Sequence, residues 1–320
     1  RQIVAELDAM ENVTRLSEAT VWAYREHNLL MVTERNPTTG GVFQRSWRVR
    51  AQQVLIATGS IERNLVFAHN DRPGVMMASA IQAYVNRYAV RPGRRAVLFA
   101  NNNSIYAVAR DLRAAGVEIA AIVDSRDQAT DLPGDLKDLT RLSHHVVERC
   151  HGGKHLSGVT IRNRASGERQ RLDCDLLGVS GGWNPAVHLY SQSRSELAYD
   201  DRLATFVPGK AVQGCRCIGA AAGRFTLKQG LEDAVLRTMA ALELPSEAAI
   251  DIPDVAEDVD YHIEALWPEE SNTALAAKSF IDIQNDVTLA DVHLAMREGF
   301  DAVEHVKRYT TAGMGIDQGK

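Results

Sequence analysis

The chain has 320 residues, 45% hydrophobic and 24% charged, and its net charge of −5 is spread over interspersed acids and bases. That is globular composition with room for two or three domains, and it argues against a nucleic-acid binder or a polybasic membrane-surface protein. No apolar run reaches the length of a bilayer span, and the residues from Arg1 onward carry no signal-peptide pattern.

Four cysteines in so long a chain (Cys150, Cys174, Cys215 and Cys217) suit a reducing, cytoplasmic setting. Cys215-Arg216-Cys217 reads as a buried thiol pair rather than a metal site, since no second pair completes a four-ligand set. The chain opens without Met and closes on Asp317-Gln318-Gly319-Lys320, so it reads as a piece of something longer.

In chain order, residues 1–10 have helical spacing (Ile3, Val4, Leu7, Met10), and residues 18–24, 29–34 and 42–49 read as three strands separated by turn-rich stretches. They lead into residues 54–59, where Val54, Leu55 and Ile56 form an apolar strand of the kind covered on both faces in α/β proteins. Ala57-Thr58-Gly59 ends it in small residues that let another backbone, or a phosphate, come close. Residues 61–73 show no period, and 75–88 read as a helix. Residues 96–100, 105–115 and 117–123 form a strand, a helix stopped by Gly116, and a second strand, which is a complete βαβ unit. Strands follow at 146–151, 156–162 and 171–178, and Gly181-Gly182-Trp183-Asn184-Pro185 breaks the chain. Residues 217–223 are a strand entering a small-residue turn that opens the helix 227–242. The acidic, proline-interrupted stretch 248–270 reads as a linker, and helices follow at 288–298 and 301–310.

The βαβ unit is where a G-x-G-x-x-G dinucleotide fingerprint belongs, but its glycine positions hold Ala100, Asn102 and Ile105. Asp124 stands where a ribose-binding acid would stand. The fold reads as retained and nicotinamide binding as lost or altered. Gly219-Ala220-Ala221-Ala222-Gly223 at a helix start suits an anion or nucleotide, and with Ala57-Thr58-Gly59 it would flank one cofactor. That turn has no acid of its own, which disfavours FAD. No Ser-His-Asp or Cys-His spacing and no carboxylate pair stands out, so no catalytic residue is assigned. His144-His145 reads as a solvated helix end, and His293 and His305 lie on helix faces.

The order of these pieces resembles the two-dinucleotide-domain flavoproteins of the disulfide-reductase type. Residues 57–63, Asn70-Asp71-Arg72-Pro73-Gly74-Val75-Met76, Gly181-Gly182-Trp183-Asn184-Pro185 and residues 306–315 more narrowly resemble the alpha subunits of heterotetrameric sarcosine oxidases. The resemblance implies an α/β fold of that two-domain type, its N-terminal nucleotide half-domain incomplete, with a small mainly helical C-terminal domain. Residues 1–60 and 181–245 would be the rest of a split NAD domain, and 61–180 a degenerate Rossmann-like domain. Residues 246–272 would be a linker, and 273–320 a small domain resembling a cluster-binding one without its cysteines.

The resemblance further implies oxidative demethylation of sarcosine to glycine, with peroxide formed and a one-carbon unit passed to tetrahydrofolate on a domain absent here. FAD would sit on a partner subunit and FMN at the interface with the beta subunit, with gamma and delta subunits completing the complex. A non-catalytic NAD would touch Val21, Ala57, Thr58, Gly59, Gly219, Ala220, Phe225 and Leu227, although Phe225 and Leu227 depart from the family's residue types. Thr310, Thr311, Gln318, Gly319 and Lys320 would face the FMN. The related cluster-binding domain places cysteines where Asp282, Gln284 and Asp317 stand, so no iron–sulfur cluster is expected. The rival readings are a stand-alone NAD(P)H-dependent flavin oxidoreductase, disfavoured by the lost glycines, and the alpha subunit of an opine, N-methylglutamate or cyanide-forming amine dehydrogenase.

Overall fold

The computed structural model describes residues 2–35, 41–129, 131–245, 252–255, 260–268 and 273–316. The chain forms two compact units, one of Arg1–Gly59, Pro185–Tyr199 and Phe206–Val255, the other of Ser60–Asn184, Asp200–Thr205 and Ala256–Lys320. Among the described residues no helix is long and apolar enough to cross a membrane.

In the first unit, Ala19–Arg25, Leu29–Arg35 and Gln44–Arg50 form the expected antiparallel meander. His27 and Asn28 turn it with positive φ angles of 58° and 49°, a conformation Asn adopts more readily than most residues. The buried Asn28 side chain accepts from the Tyr24 hydroxyl at 2.7 Å and donates to the Gln52 and Gly214 carbonyls at 3.0 and 3.2 Å. It thereby fixes the hairpin to the entrances of two parallel strands, Val54–Ile56 and Cys215–Cys217. Gly214 is required there, because a Cβ would lie 2.6 Å from the Gln52 carbonyl oxygen. Tyr24, Ile56, Tyr190, Cys215, Cys217 and Ala221 pack as one core. Leu55, expected to be covered, is 36% exposed, so this strand is buried on one face only within the chain.

The second unit is built on a five-stranded parallel sheet in the order Val75–Met77, Leu176–Ser180, Arg95–Ala100, Glu118–Asp124 and Arg141–Ser143. Alternate residues of Arg95–Ala100 enter different cores. Val97 and Phe99 pack with Phe67, Val147 and Ile161, whereas Ala96, Leu98 and Ala100 pack beneath Ile105, Val108 and Leu112 of the helix Ile105–Ala114. This strand shows the two-sided burial that continuous apolar runs signal. An antiparallel sheet of His145–Gly152, Leu156–Asn163 and Arg169–Leu172 supplies residues to the first of these cores.

Three expectations fail here. Residues 75–88 are not one helix: Val75–Met77 is a strand paired with Leu177–Val179, and the helix starts at Ala78. Residues 171–178 are two strands in different sheets, separated where the Asp175 carboxylate accepts the Arg94 and Arg95 N–H groups. His144 and His145 do not end a helix: His144 is in a left-handed turn and His145 begins a strand.

Near the C-terminal end, Phe280–Asp282 pairs with Val287–Thr288, and the helices Leu289–Arg297 and Val303–Thr310 follow. The buried Asp282 carboxylate accepts from the Asn285 N–H, the Asn285 side chain and the Gly313 N–H at 3.1, 3.0 and 2.8 Å. Burial alone would raise its pKa, but these hydrogen bonds outweigh it and hold the group below the usual carboxylate value. Its contribution is therefore complete above the unfolded-state pKa of about 4 and is lost as pH falls through the folded-state value. Asp282→Ala is expected to cost about 1–3 kcal/mol at neutral pH, and progressively less below about pH 4, as read by denaturant unfolding. An equal loss at both pH values would contradict this.

Candidate functional site

The Val54–Ile56 and Cys215–Cys217 strands run parallel and in register, and the pairing continues through the Ile218 N–H to the Ile56 carbonyl at 3.0 Å. The turn 57–59 and the turn beginning at Gly219 therefore leave the same end of the same pair of strands, the position at which α/β sheets bind ligands. Ala57 and Thr58 are exposed, and the Thr58 hydroxyl donates to the Ala186 carbonyl at 2.7 Å. Gly59 has φ +74° and nothing within 4 Å of a Cβ position.

Gly219–Ala222 is a 3₁₀ turn closed by Gly223 in the left-handed region, with φ 79°. The expectation that this turn opens the following helix directly fails. That helix is Leu227–Ala241, capped by Thr226. Gly219 and Ala220 are half-buried, Phe225 is half-buried and Leu227 is 62% exposed. Val21 lies apart in the sequence pattern, on the meander, where it pairs with Val32.

One residue of this turn region went unseen in the sequence. Asp233, on the helix and buried, accepts the Gly219 N–H at 3.1 Å and pairs with Arg237 at 2.7 Å and Arg224 at 3.5 Å. Its spacing to Arg237 (i, i+4) is the signal that could have pointed to it. A carboxylate already bound to the Gly219 N–H denies that donor to a phosphate. Ala57 and Thr58 stay exposed, while Gly59 and Ala220 are half-buried. Cys215 and Cys217, in the adjoining strand, are buried free thiols as expected, and burial pushes Cys217 up to about 12.

At the C-terminal end, the Thr310 hydroxyl donates to the Val306 carbonyl at 2.8 Å and accepts the Ala312 N–H at 3.3 Å. Thr311 is exposed, with φ 64°. Gln318, Gly319 and Lys320 lie outside the described residues, as does Asp317.

The second Rossmann-like unit is arranged differently. Asn102, at the position where a pyrophosphate would approach, is fully buried. Its side chain donates to Ser180 and Asn101 at 3.1 Å and accepts the Ser104 N–H at 3.0 Å. Asp124 is the last residue of its strand and is paired with Arg126 at 2.7 Å, the two side chains being 1% and 0% exposed. Burial works against the guanidinium charge, yet Asp124 overrides it and raises the Arg126 pKa. Arg126 also donates to Asn103 at 2.5 Å, to the His262 carbonyl at 3.1 Å and to the Tyr106 hydroxyl at 3.2 Å.

Residues 260–264 run across these strand ends. The Asn103 N–H reaches the His262 carbonyl at 3.2 Å and the Glu264 N–H reaches the Asn101 carbonyl at 3.1 Å. The Asn101 and Asn103 side chains donate to the Glu264 and Asp260 carbonyls at 2.9 and 2.7 Å. The Glu264 carboxylate in turn accepts the Asp127 and Gln128 N–H groups at 2.8 and 3.0 Å. Trp183, from the Gly181–Pro185 motif, donates to the Ser104 hydroxyl at 3.1 Å, at the helix start. The place of a dinucleotide is filled by the chain itself, so the residues present do not fit a nicotinamide cofactor here.

A model of the sarcosine oxidase A3 domain family matches residues 276–320. The sarcosine oxidase alpha subunit of Rhizobium meliloti (strain 1021) is 37% identical over 98% of the chain and 32% of its own length. That of Corynebacterium sp. (strain P-1) is 35% identical over 99% of the chain and 35% of its own length. Along nearly its whole length the chain is similar to sarcosine oxidase alpha subunits. It spans about a third of the length of these curated relatives.

Among solved structures, L-proline dehydrogenase from P. horikoshii superimposes with a TM-score of 0.65 at 18% identity, covering 100% of this chain and 60% of that one. Thioredoxin reductase from T. acidophilum gives a TM-score of 0.54 at 16% identity, over 71% and 72%. The fold is thus the α/β fold of the pyridine nucleotide-disulfide oxidoreductases, as expected from the motif order.

Removing Arg126 leaves a buried carboxylate without its partner, so Arg126→Ala is expected to cost about 3–5 kcal/mol. Denaturant unfolding of the D124A/R126A double variant should show a loss well below the sum of the single losses. Additive losses would mean that the two groups are not coupled.

Proposed function

We propose that this chain is the central part of the alpha subunit of a sarcosine oxidase-type complex, a cytoplasmic assembly that demethylates sarcosine oxidatively. Glycine, peroxide and a one-carbon unit for tetrahydrofolate would be its products. In this reading the chain holds one NAD that takes no part in redox chemistry, through Ala57, Thr58, Gly59, Gly219, Ala220 and flanking residues Val21, Phe225 and Leu227. Thr310 and Thr311 face an FMN shared with the beta subunit. FAD and the substrate pocket belong to the beta subunit, tetrahydrofolate to a domain outside this chain, and gamma and delta subunits complete the assembly.

The observation that carries this reading is the crevice over Asn102 and Asp124. The second unit keeps the form of a nicotinamide domain while residues 260–264 fill the place of the nicotinamide nucleotide. A chain that cannot take up NADH there is suited to holding and joining rather than to hydride transfer. Supporting it is the similarity to sarcosine oxidase alpha subunits along nearly the whole chain.

Mass spectrometry of nucleotides released from the purified complex is expected to find one NAD per alpha chain, and NADH is expected to leave the flavin spectrum unchanged. The alpha chain alone should form no peroxide from sarcosine. Rapid bleaching of flavin by NADH, or peroxide from the isolated chain, would overturn the assignment.

A further inference from the structure

The motif Asn70-Asp71-Arg72-Pro73-Gly74-Val75-Met76 has a clear architectural part. The Asn70 side chain donates to the Phe280 carbonyl at 2.8 Å and accepts the Phe280 N–H at 2.9 Å. Gly74 has φ +108°, and a Cβ there would lie 2.8 Å from the Asp175 carbonyl oxygen. These contacts account for Asn70 and Gly74, but not for the charges that the same segment brings together.

His69 is joined through its N–H to the Lys278 carbonyl at 2.6 Å, and the Arg72 guanidinium donates to the Gly152 carbonyl. Ala68 is stitched to the strand His145–Gly152 by its N–H to the Glu148 carbonyl at 3.1 Å and by the Cys150 N–H to its own carbonyl at 2.9 Å. In that sheet Arg149 stands opposite Thr160, which stands opposite Arg171, so the three share one face. His151 lies two residues on from Arg149, its Nε2 2.6 Å from the Thr160 hydroxyl.

Four permanent cations, Arg72, Arg149, Arg171 and Lys278, thus gather round two imidazoles in a chain whose net charge is −5. The acids that face them are Asp71, near His69, Glu148, whose charge acts on Arg149 although it pairs with Arg169 at 2.8 Å, and Asp173, which pairs with Arg171 at 3.2 Å. Arg149 and Lys278 have no ion-pair partner among the described residues, and both are exposed. His69 and His151 both lie below the ordinary histidine value, through burial first and then through the neighbouring cations.

We propose that this cluster is a binding site for the dianionic phosphate group of a small soluble molecule. Guanidinium forks match phosphate oxygens in pairs, and the lysine and the Thr160 hydroxyl add further donors. Repulsion within the cluster is relieved when an anion enters, and the same anion favours the protonated imidazoles. Binding and protonation of His69 and His151 are therefore linked: each raises the other.

The test is an NMR pH titration of the histidine side chains in the purified protein, with inorganic phosphate as the probe and sodium chloride at matched ionic strength as the reference. Phosphate is expected to raise the apparent pKa of His69 and His151 by about half a unit or more over chloride. His293 and His305, on the C-terminal helices, should not move. In the R149Q/K278Q variant, which changes two exposed side chains, the phosphate-specific shift should fall by at least about half. Equal values in phosphate and chloride, or an undiminished shift in the double variant, would overturn the proposal. Isothermal titration with phosphate reads the same loss independently of the histidine signals. Loss of NAD or of sarcosine turnover is not among these readouts, so this proposal and the oxidase assignment fail separately.

Discussion

Asp124 and Arg126 form an ion pair that water does not reach, and such a pair persists only when the remaining polar atoms around it are satisfied as well. That requirement organises the whole end of the parallel sheet. The guanidinium reaches Asn103, Tyr106 and the His262 carbonyl, and Asn103 and Asn101 then bind residues 260–264 through backbone and side chain together. Each asparagine of the Asn101-Asn102-Asn103 run has its own acceptor or donor in place. The result is a hydrogen-bonded lid of chain over strands that, in this fold, would otherwise present an open crevice to a dinucleotide.

The contrast with the first unit is one of chemistry as well as space. There, Ala57, Thr58 and Gly59 keep short side chains and open approach. The nearby carboxylate, Asp233, is spent on a backbone N–H and two arginines. Short side chains of this kind leave the backbone open to close approach. Among the buried thiols, burial pushes Cys150, Cys174 and Cys217 up to about 12, which keeps these three protonated at neutral pH. In the function proposed above, both units hold and join, and the redox chemistry falls to groups carried elsewhere.

Much of this was legible in the residues. The apolar run before Asn101, the helix stopped by Gly116 and the strand ending at Asp124 were plain because a doubly buried strand and an amphipathic helix leave strong patterns. The loss of the glycines from the βαβ unit was equally plain, with Asn102 standing where a pyrophosphate would approach. What filled the crevice was not legible: residues 260–264 are polar and proline-flanked, and their order comes from partners more than a hundred residues away. The strand at Val75–Met77 was hidden for a similar reason, since pairing with Leu177–Val179 overrides a local spacing that suits a helix. Residues 171–178 look continuous in sequence, and only the Asp175 carboxylate bound to the Arg94 and Arg95 N–H groups reveals the break. At the turn of the first unit, Asp233 supplies from the helix the acid that the turn's own residues lack.

Amide hydrogen exchange at Asn103 and Glu264 tests the closed crevice most directly, because the N–H groups of these two residues make the backbone bonds that seal it. A crevice filled by its own chain predicts that both amides exchange slowly, near the rate of the sheet core around Leu98, and that saturating NADH leaves them unchanged. Fast exchange of these amides, or their deprotection when NADH is added, would show that the segment opens to admit a nucleotide and would contradict the account.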